Sequence, residues 1–286
     1  MNTPRIKADL TGIPETMLWP LYCRAEESRR PDSFLRDPVI DDLYASIDYP
    51  FHERFGAPRT VLALRALTFD RQIETFLARH PDGTVVALGD GLETQFHRVD
   101  NGRVHWVSVD LPEATELRRR LLPGSDRARI VTCSALDRSW MDEIDDSRGL
   151  LITALGLFMY LDGTAVLDLI TTAARRFRGA ELLFDAVPPW LVRETGGGTR
   201  LSALMMRGRA DDDADTNTAY RLPPMVWGTS TTRVRKALAD EPAVAAVHDV
   251  PMVPGRGFVF RRLNPVFGST APVRRIRPNN VLVEFA

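Results

Sequence analysis

Val85-Val-Ala-Leu-Gly-Asp-Gly-Leu-Glu-Thr-Gln-Phe-His97 decides the fold. An unbroken apolar run of this kind suits a strand covered on both faces, as in a parallel sheet. The run then drops into Gly89-Asp-Gly91. Glycine reaches positive φ without penalty and lets the backbone come close to a ligand. In an open parallel sheet, ligands bind beyond the carboxyl ends of the strands. A buried strand that ends in such a turn therefore predicts an α/β fold with its site at that rim.

Downstream, strand and helix patterns alternate. Strands are predicted at Thr84–Leu88, Val104–Val109, Arg129–Cys133, Leu150–Ala154 and Glu181–Phe184. Helices are predicted at Leu111–Leu121, Arg138–Ile144 and Asp162–Phe177. This alternation implies βαβ units and a mostly parallel sheet. A further helix at Thr232–Leu238 precedes two late strands, Val244–Val250 and Val281–Phe285, which suit an antiparallel pair at one edge. Upstream, the spacing of Leu18, Leu21, Tyr22 and Ala25 predicts a helix over Pro14–Glu27. Pro31 opens a turn into a second helix ending near Tyr49-Pro50. A long helix over Pro58–Arg79 carries an apolar stripe of Leu62, Ala66, Phe69, Ile73 and Phe76, and His80-Pro-Asp-Gly83 stops it. Residues 188–228 break the rhythm with Gly196-Gly-Gly198, an acidic run at 211–215 and Pro223-Pro224. They suit either a lid-like insertion or a surface loop.

The chain has 286 residues, of which 44% are hydrophobic, enough for a sizeable core. Lys plus Arg is 37 and Asp plus Glu is 38, so the net charge of −1 supplies no field for nucleic acid or an anionic membrane. Arg256, Arg261, Arg262, Arg274, Arg275 and Arg277 cluster late in the chain and suit local ion pairs or a solvated face. Cys23 and Cys133 make no disulfide framework, and Cys133 suits a small buried apolar position. His52, His80, His97, His105 and His248 stand singly, without metal-ligand spacing. No apolar signal core opens the chain, and no run approaches the ~18 residues of a membrane span. A soluble, cytoplasmic protein is the expectation.

Three ligand classes suit a Gly-x-Gly turn. A dinucleotide site wants Gly-x-Gly-x-x-Gly, but Thr94 stands where the third glycine belongs. A P-loop wants Gly-Lys-Ser or Gly-Lys-Thr, and neither occurs. S-adenosylmethionine needs only the glycine turn and an acid ending the second strand. Asp110 follows the run ending in Val109, and a carboxylate can accept two bonds from vicinal ribose hydroxyls. Asp110 also suits a cap on the helix starting at Pro112, and it can do both.

Read in order, Leu88-Gly-Asp-Gly-Leu-Glu-Thr-Gln-Phe-His-Arg98, Val109-Asp-Leu-Pro-Glu113, Leu117-Arg-Arg-Arg-Leu121 and Gly156-Leu-Phe-Met-Tyr-Leu161 resemble the leucine carboxyl methyltransferase family. The likeness is to its bacterial branch of tetracenomycin-type polyketide O-methyltransferases. Tyr22-Cys-Arg-Ala-Glu-Glu-Ser28 and Thr60-Val-Leu-Ala-Leu-Arg-Ala-Leu-Thr-Phe-Asp70 extend it, so it spans roughly residues 10–190. The resemblance implies a Rossmann-like class I methyltransferase fold: a mostly parallel seven-stranded sheet, helices on both faces and an N-terminal helical cover. The expected division is a cover over residues 1–83 and a cofactor-binding α/β domain over 84–286. It implies that Arg24 and Arg65 meet the methionine carboxylate of S-adenosylmethionine, and that Gly89, Asp90 and Gly91 line methionine and ribose. Asp110, with Leu111 beside it, would hold the ribose. Ser134 and Ala135 would lie at the adenine edge, Leu155 and Gly156 near the methyl donor, and Tyr160 at the site mouth.

This sequence departs from the pattern at Ala87, Ser134 and Leu155, where acids are common in methyltransferases or in this family. The expected reaction is methyl transfer to an oxygen of a small-molecule carboxylate or phenol. His97 and Tyr160 are the candidate bases that a phenol would call for. Asp185, Trp190 and Trp227 are candidates for the acceptor pocket. Ser134 and Leu155 motivate a rival: a protein of this fold with other chemistry, or with a binding role alone. No nucleic-acid or membrane partner is expected, and the oligomeric state is left open.

Overall fold

The computed structural model describes residues 5–7, 14–195, 220, 223–256 and 278–286. The alternation that begins at Thr84 forms a seven-stranded sheet. β1 (Ile6–Lys7) and β2 (Ile47–Asp48) make only a two-residue parallel pair outside it. The sheet comprises β3 (Thr84–Leu88), β4 (His105–Asp110), β5 (Ala128–Thr132), β6 (Leu150–Ala154), β7 (Glu181–Ala186), β8 (Val244–Val250) and β9 (Asn279–Phe285). Its order is β5-β4-β3-β6-β7-β9-β8. β3 to β7 are mutually parallel, and β9 runs antiparallel to both neighbours. The chain moves from β3 outward to β4 and β5, then returns to β6 on the other side of β3. That reversal beside β3 places the switch point at the glycine turn.

Successive strand residues face opposite sides of the sheet. Val86, Leu88, Val107, Val109, Ile152 and Ala154 pack on one side with Val166, Leu169, Ile170 and Ala173 of α7 (Gly163–Arg176). Val234 of α9 (Thr231–Ala237) joins them. Val85, Ala87, Trp106, Leu151 and Leu183 face the other side. There they meet Phe69, Ile73 and Phe76 of α4 (Thr60–Arg79) and Phe96 of α5 (Gln95–Val99). The Asp162 side chain starts α7 by accepting from the Thr164 and Ala165 N–H groups, a standard N-cap. α1 (Leu18–Ser28), α2 (Ile40–Ala45) and α3 (Phe51–Phe55) enclose a separate aromatic-rich core. Leu92, from just past the glycine turn, is inserted into it, so this helical layer is locked to the rim.

Several elements differ from the sequence reading. The helix expected after Pro31 is confined to α2, and Pro38, which disfavours helical geometry at Asp37, lies just ahead of its start. Arg138–Glu143 is a 3₁₀ turn, and α3, α5 and α8 (Pro189–Thr195) were not anticipated. Cys133 is only half-buried, just past β5, whereas Cys23 is fully buried and its thiol is pushed up to about 12 by that burial. Most of the expected lid, including the acidic run, lies outside the described residues. Its return limb, Pro223–Ser230, crosses the β7 end: the Val226 and Trp227 N–H groups donate to Met159 O, and Thr229 N–H to Val187 O. Of the basic cluster only Arg256 is described, and it pairs with Glu27 and Asp32. Among the described residues no helix is long and apolar enough to cross a membrane.

Candidate functional site

β3 ends at Leu88, and the chain turns sharply because Gly89 and Gly91 adopt φ of 64° and 44°. A Cβ on Gly89 would lie 2.9 Å from Leu157, and one on Gly91 3.2 Å from Met17. The turn is therefore closed to side chains on conformational and steric grounds alike. Asp110 stands beside it at the end of β4. Its Oδ2 accepts the Gly91 N–H at 2.7 Å and its Oδ1 the Leu111 N–H at 2.8 Å. An ionised carboxylate has about four acceptor positions, so about two remain. Burial raises the Asp110 carboxyl above the usual carboxylate range, and its two N–H bonds oppose that. Leu111, next in the chain, is exposed despite its size. At the adjoining β5 rim, Ser134 is exposed with its Oγ accepting from Leu136 N–H. Ala135 is buried, its carbonyl accepting from the Trp140 indole.

On the other flank of β3, β6 ends at Leu155-Gly156. Gly156 has φ of 75°, and its N–H donates to Asp185 Oδ1 at 2.5 Å. Arg65, from the second turn of α4, lies directly over this glycine, where a Cβ would fall 3.0 Å from Nη2. Arg65 Nη1 pairs with Asp185 Oδ2 at 3.2 Å, while its Nε is buried without a hydrogen-bond partner. Burial raises the Tyr160 phenol to about 12, with Arg65 lowering it and Asp185 raising it. The nearby Tyr220 hydroxyl is also buried without a partner. The Tyr220 ring packs on Phe55 and Trp19 at 4.7 and 5.9 Å, which brings the helical layer to this flank.

Three expected residues direct their side chains to other surroundings. The Asp90 side chain turns into the α4–α5 side of the sheet, where it accepts from Ser108 Oγ and Trp106 Nε1 and pairs with Arg118. Arg24 is spent on Glu93 at 2.6 Å and on the Leu92 carbonyl at 3.1 Å. His97 lies on α5, lining a cavity of about 160 Å³ at the β4–β5 edge with Arg118 and Ser108. Burial and the Arg118 charge lower its imidazole pKa. Of the aromatic candidates, Trp227 stacks on Phe184 and fills the space above Gly163, while Trp190 packs with Met159 and Leu191.

Sequence reasoning passed over the groups that hold the turn in place. Arg118 donates to the carbonyls of Gly91 and Glu93. Arg98, 2% exposed, joins Asp37, Asp70 and Glu93. The word Glu93-Thr-Gln-Phe-His-Arg98 held the signal, since five polar side chains so soon after a buried strand require partners.

This donor set fits a nucleoside carrying an amino-acid tail. A carboxylate with spare acceptor positions adjoins a turn open to close approach. A half-buried guanidinium whose Nε–H is buried and unmatched stands on the far side of the same turn.

The leucine carboxyl methyltransferase family model matches residues 18–174. The chain is 35% identical to the tetracenomycin polyketide synthesis O-methyltransferase of Streptomyces glaucescens over 187 residues, 64% of this chain and 69% of the relative. It is 27% identical to an S-adenosyl-L-methionine-dependent methyltransferase of Gibberella zeae over 208 residues, 63% of this chain and 68% of the relative. Among solved structures, a Thermobifida fusca protein assigned to the methyltransferases superposes with a TM-score of 0.54 at 14% identity, covering 96% of this chain and 98% of that one. A Streptomyces avermitilis protein of the DUF574 family gives 0.53 at 12% identity, covering 92% and 96%. At these identities the structural likeness is one of fold, the Rossmann-like class I arrangement.

Proposed function

Because the chain belongs to the leucine carboxyl methyltransferase family, whose members are S-adenosylmethionine-dependent methyltransferases, we propose that it methylates an oxygen of a small organic acid. The observation that carries this reading is the Asp110 carboxylate, fixed by the Gly91 N–H at the switch point with acceptor positions left over. Asp110 would hold the ribose hydroxyls, with the backbone of Gly89 and Gly91 beneath. Leu111, Ser134 and Ala135 would border the base. Leu155, Gly156 and Arg65 would border the amino-acid end. When bound, the cofactor supplies a methyl group on a sulfonium centre that is already activated toward attack.

The chain's task is then to align donor and acceptor and to exclude water, and alignment alone removes a large part of the barrier. Tyr160, raised to about 12, stays protonated at neutral pH and serves as a hydrogen-bond donor rather than a base. His97 stands at the β4–β5 edge, away from Arg65 and Asp185. A phenol, with a pKa near 10, would need a base to ionise it, whereas a carboxylate is ionised already. The reading therefore favours a carboxylate on a compact, natural-product-like molecule, with Tyr160 and Tyr220 as its hydroxyl partners.

The test is calorimetric titration with S-adenosylmethionine, followed by assay of S-adenosylhomocysteine release with matched aromatic carboxylic acids and phenols. Binding with turnover on acids alone is the expected outcome. Turnover on phenols alone would shift the acceptor class. Binding without turnover on any acceptor would favour a fold retained for other chemistry, and no binding would end the proposal.

A further inference from the structure

The Arg65–Asp185 pair is arranged less like a closed salt bridge than like a receptor for a zwitterion. A guanidinium that closes on a carboxylate commonly does so through two parallel N–H bonds of about 2.7–2.9 Å. Arg65 meets Asp185 through Nη1 at 3.2 Å, and its Nε has no hydrogen-bond partner although it is buried. Leaving the buried Nε–H of a charged group unmatched is costly, so the arrangement is one that a ligand completes.

Asp185 is equally exact in its placement. It is 5% exposed, and the Gly156 N–H holds Oδ1 at 2.5 Å, which fixes the plane of the carboxylate and leaves acceptor positions on both oxygens. Gly156 presents no side chain between the pair and the rim. The neighbouring rim residue on β6, Leu155, has no polar group to offer. Asp110 lies across β3, on β4. On this flank a positive and a negative group thus stand side by side, each with unused capacity. An α-amino acid head group carries the complementary pair of charges on one carbon.

Resting on the methyltransferase reading above, in which Arg65 takes the α-carboxylate of the cofactor's methionyl end, we propose that Asp185 accepts its α-ammonium. The pair thereby recognises the zwitterion as a unit.

The experiment is calorimetry on the intact chain and on Asp185→Asn with three probes. These are S-adenosylhomocysteine, its analogue lacking the α-amino group, and 5′-methylthioadenosine, which lacks the amino-acid portion entirely. The wild-type chain is expected to prefer S-adenosylhomocysteine over the deaminated analogue by about 10- to 100-fold, the range for hydrogen bonds to charged groups. Asp185→Asn should close that gap and leave methylthioadenosine affinity unchanged. A gap that survives the substitution overturns the proposal, as does an equal loss for methylthioadenosine. So does the absence of a gap in the wild-type chain, a comparison that requires no variant to fold. If the wild-type chain binds none of the three, the methyltransferase reading falls and takes this inference with it. Loss of the gap alone bears only on Asp185.

Discussion

On the proposed reading, Asp110 combines two duties that pull its chemistry in opposite directions. It must be buried enough to hold Gly91 and ionised enough to accept from a sugar. Burial raises its carboxyl, so it protonates at a higher pH than an exposed aspartate, whose pKa is about 3.9. Since only the ionised form offers the full set of acceptors, cofactor affinity should be level above that raised value. It should fall as pH drops through it, while exposed carboxylates are still charged. Asp110→Asn should abolish this acid limb in a titration series, and Asp110→Ala should weaken binding by about 1–3 kcal/mol. Unchanged affinity in a folded variant would remove Asp110 from the site. The position of Asp110 at a strand end beside the glycine turn was legible, because an apolar run leads directly into it. The partners of Arg24 and Asp90 were not. A sequence states that an arginine or aspartate is present, but only the packing decides which buried partner claims it: Glu93 for the one, Arg118 for the other.

The same contrast appears between elements. The apolar stripe of α4 was readable because it recurs at helical spacing; its Phe69, Ile73 and Phe76 lie on the sheet, while Leu62 packs on the core of α1 to α3. The polar contacts that set α4 in register were not readable. Asp70 of α4 receives two N–H bonds from Arg98 and one from Gln95 of α5, a helix of five residues, too short to show a period. Arg98 also reaches Asp37 and Glu93, so one guanidinium joins α4, α5, the segment before α2 and the glycine loop. Removing one partner from a buried ionic cluster strands the others, typically at about 3–5 kcal/mol. Arg98→Met should therefore lower the unfolding free energy by about that amount. Deleting the exposed Arg138–Asp168 pair should leave the melting temperature nearly unchanged. Burial opposes ionisation of Glu93, and Arg24 and Arg98 together overcome it and hold its carboxyl low. A depressed native pKa contributes stability that is present above the unfolded value, about 4.3 for Glu, and is lost as pH falls through the native one. Acid unfolding of the intact chain should include this step, and Arg98→Met should shift it.

For the molecule as a whole, the alternation of apolar runs with helical stretches was sufficient for a parallel sheet, and six of its seven strands start within one residue of the expected position. The exception is β9, which begins two residues early, at buried Asn279 and Asn280, where the Asn280 side chain donates to the Val250 carbonyl. Polar residues at a strand start look like loop until a partner is known. The boundary expected at residue 83 bears on how the molecule unfolds. α4 ends before it, yet Phe69, Ile73 and Phe76 cover Val85, Trp106, Leu151 and Leu183 beyond it. A chain comprising residues 84–286 should show no cooperative transition by calorimetry, whereas the intact chain should show one. A folded, cooperatively melting fragment would refute this.

The place of β9 has a consequence for biosynthesis. It separates β8 from β7, so the strand made earlier sits at the outside and the strand made later fills the gap between them. While a ribosome is still extending the chain, β7 presents a bare apolar edge, and β8 has nowhere to dock until residues 279–285 emerge. An unpaired edge of that kind invites strand exchange with other nascent copies. Translation rate and chaperone occupancy over this interval then bear on how much of the product escapes aggregation.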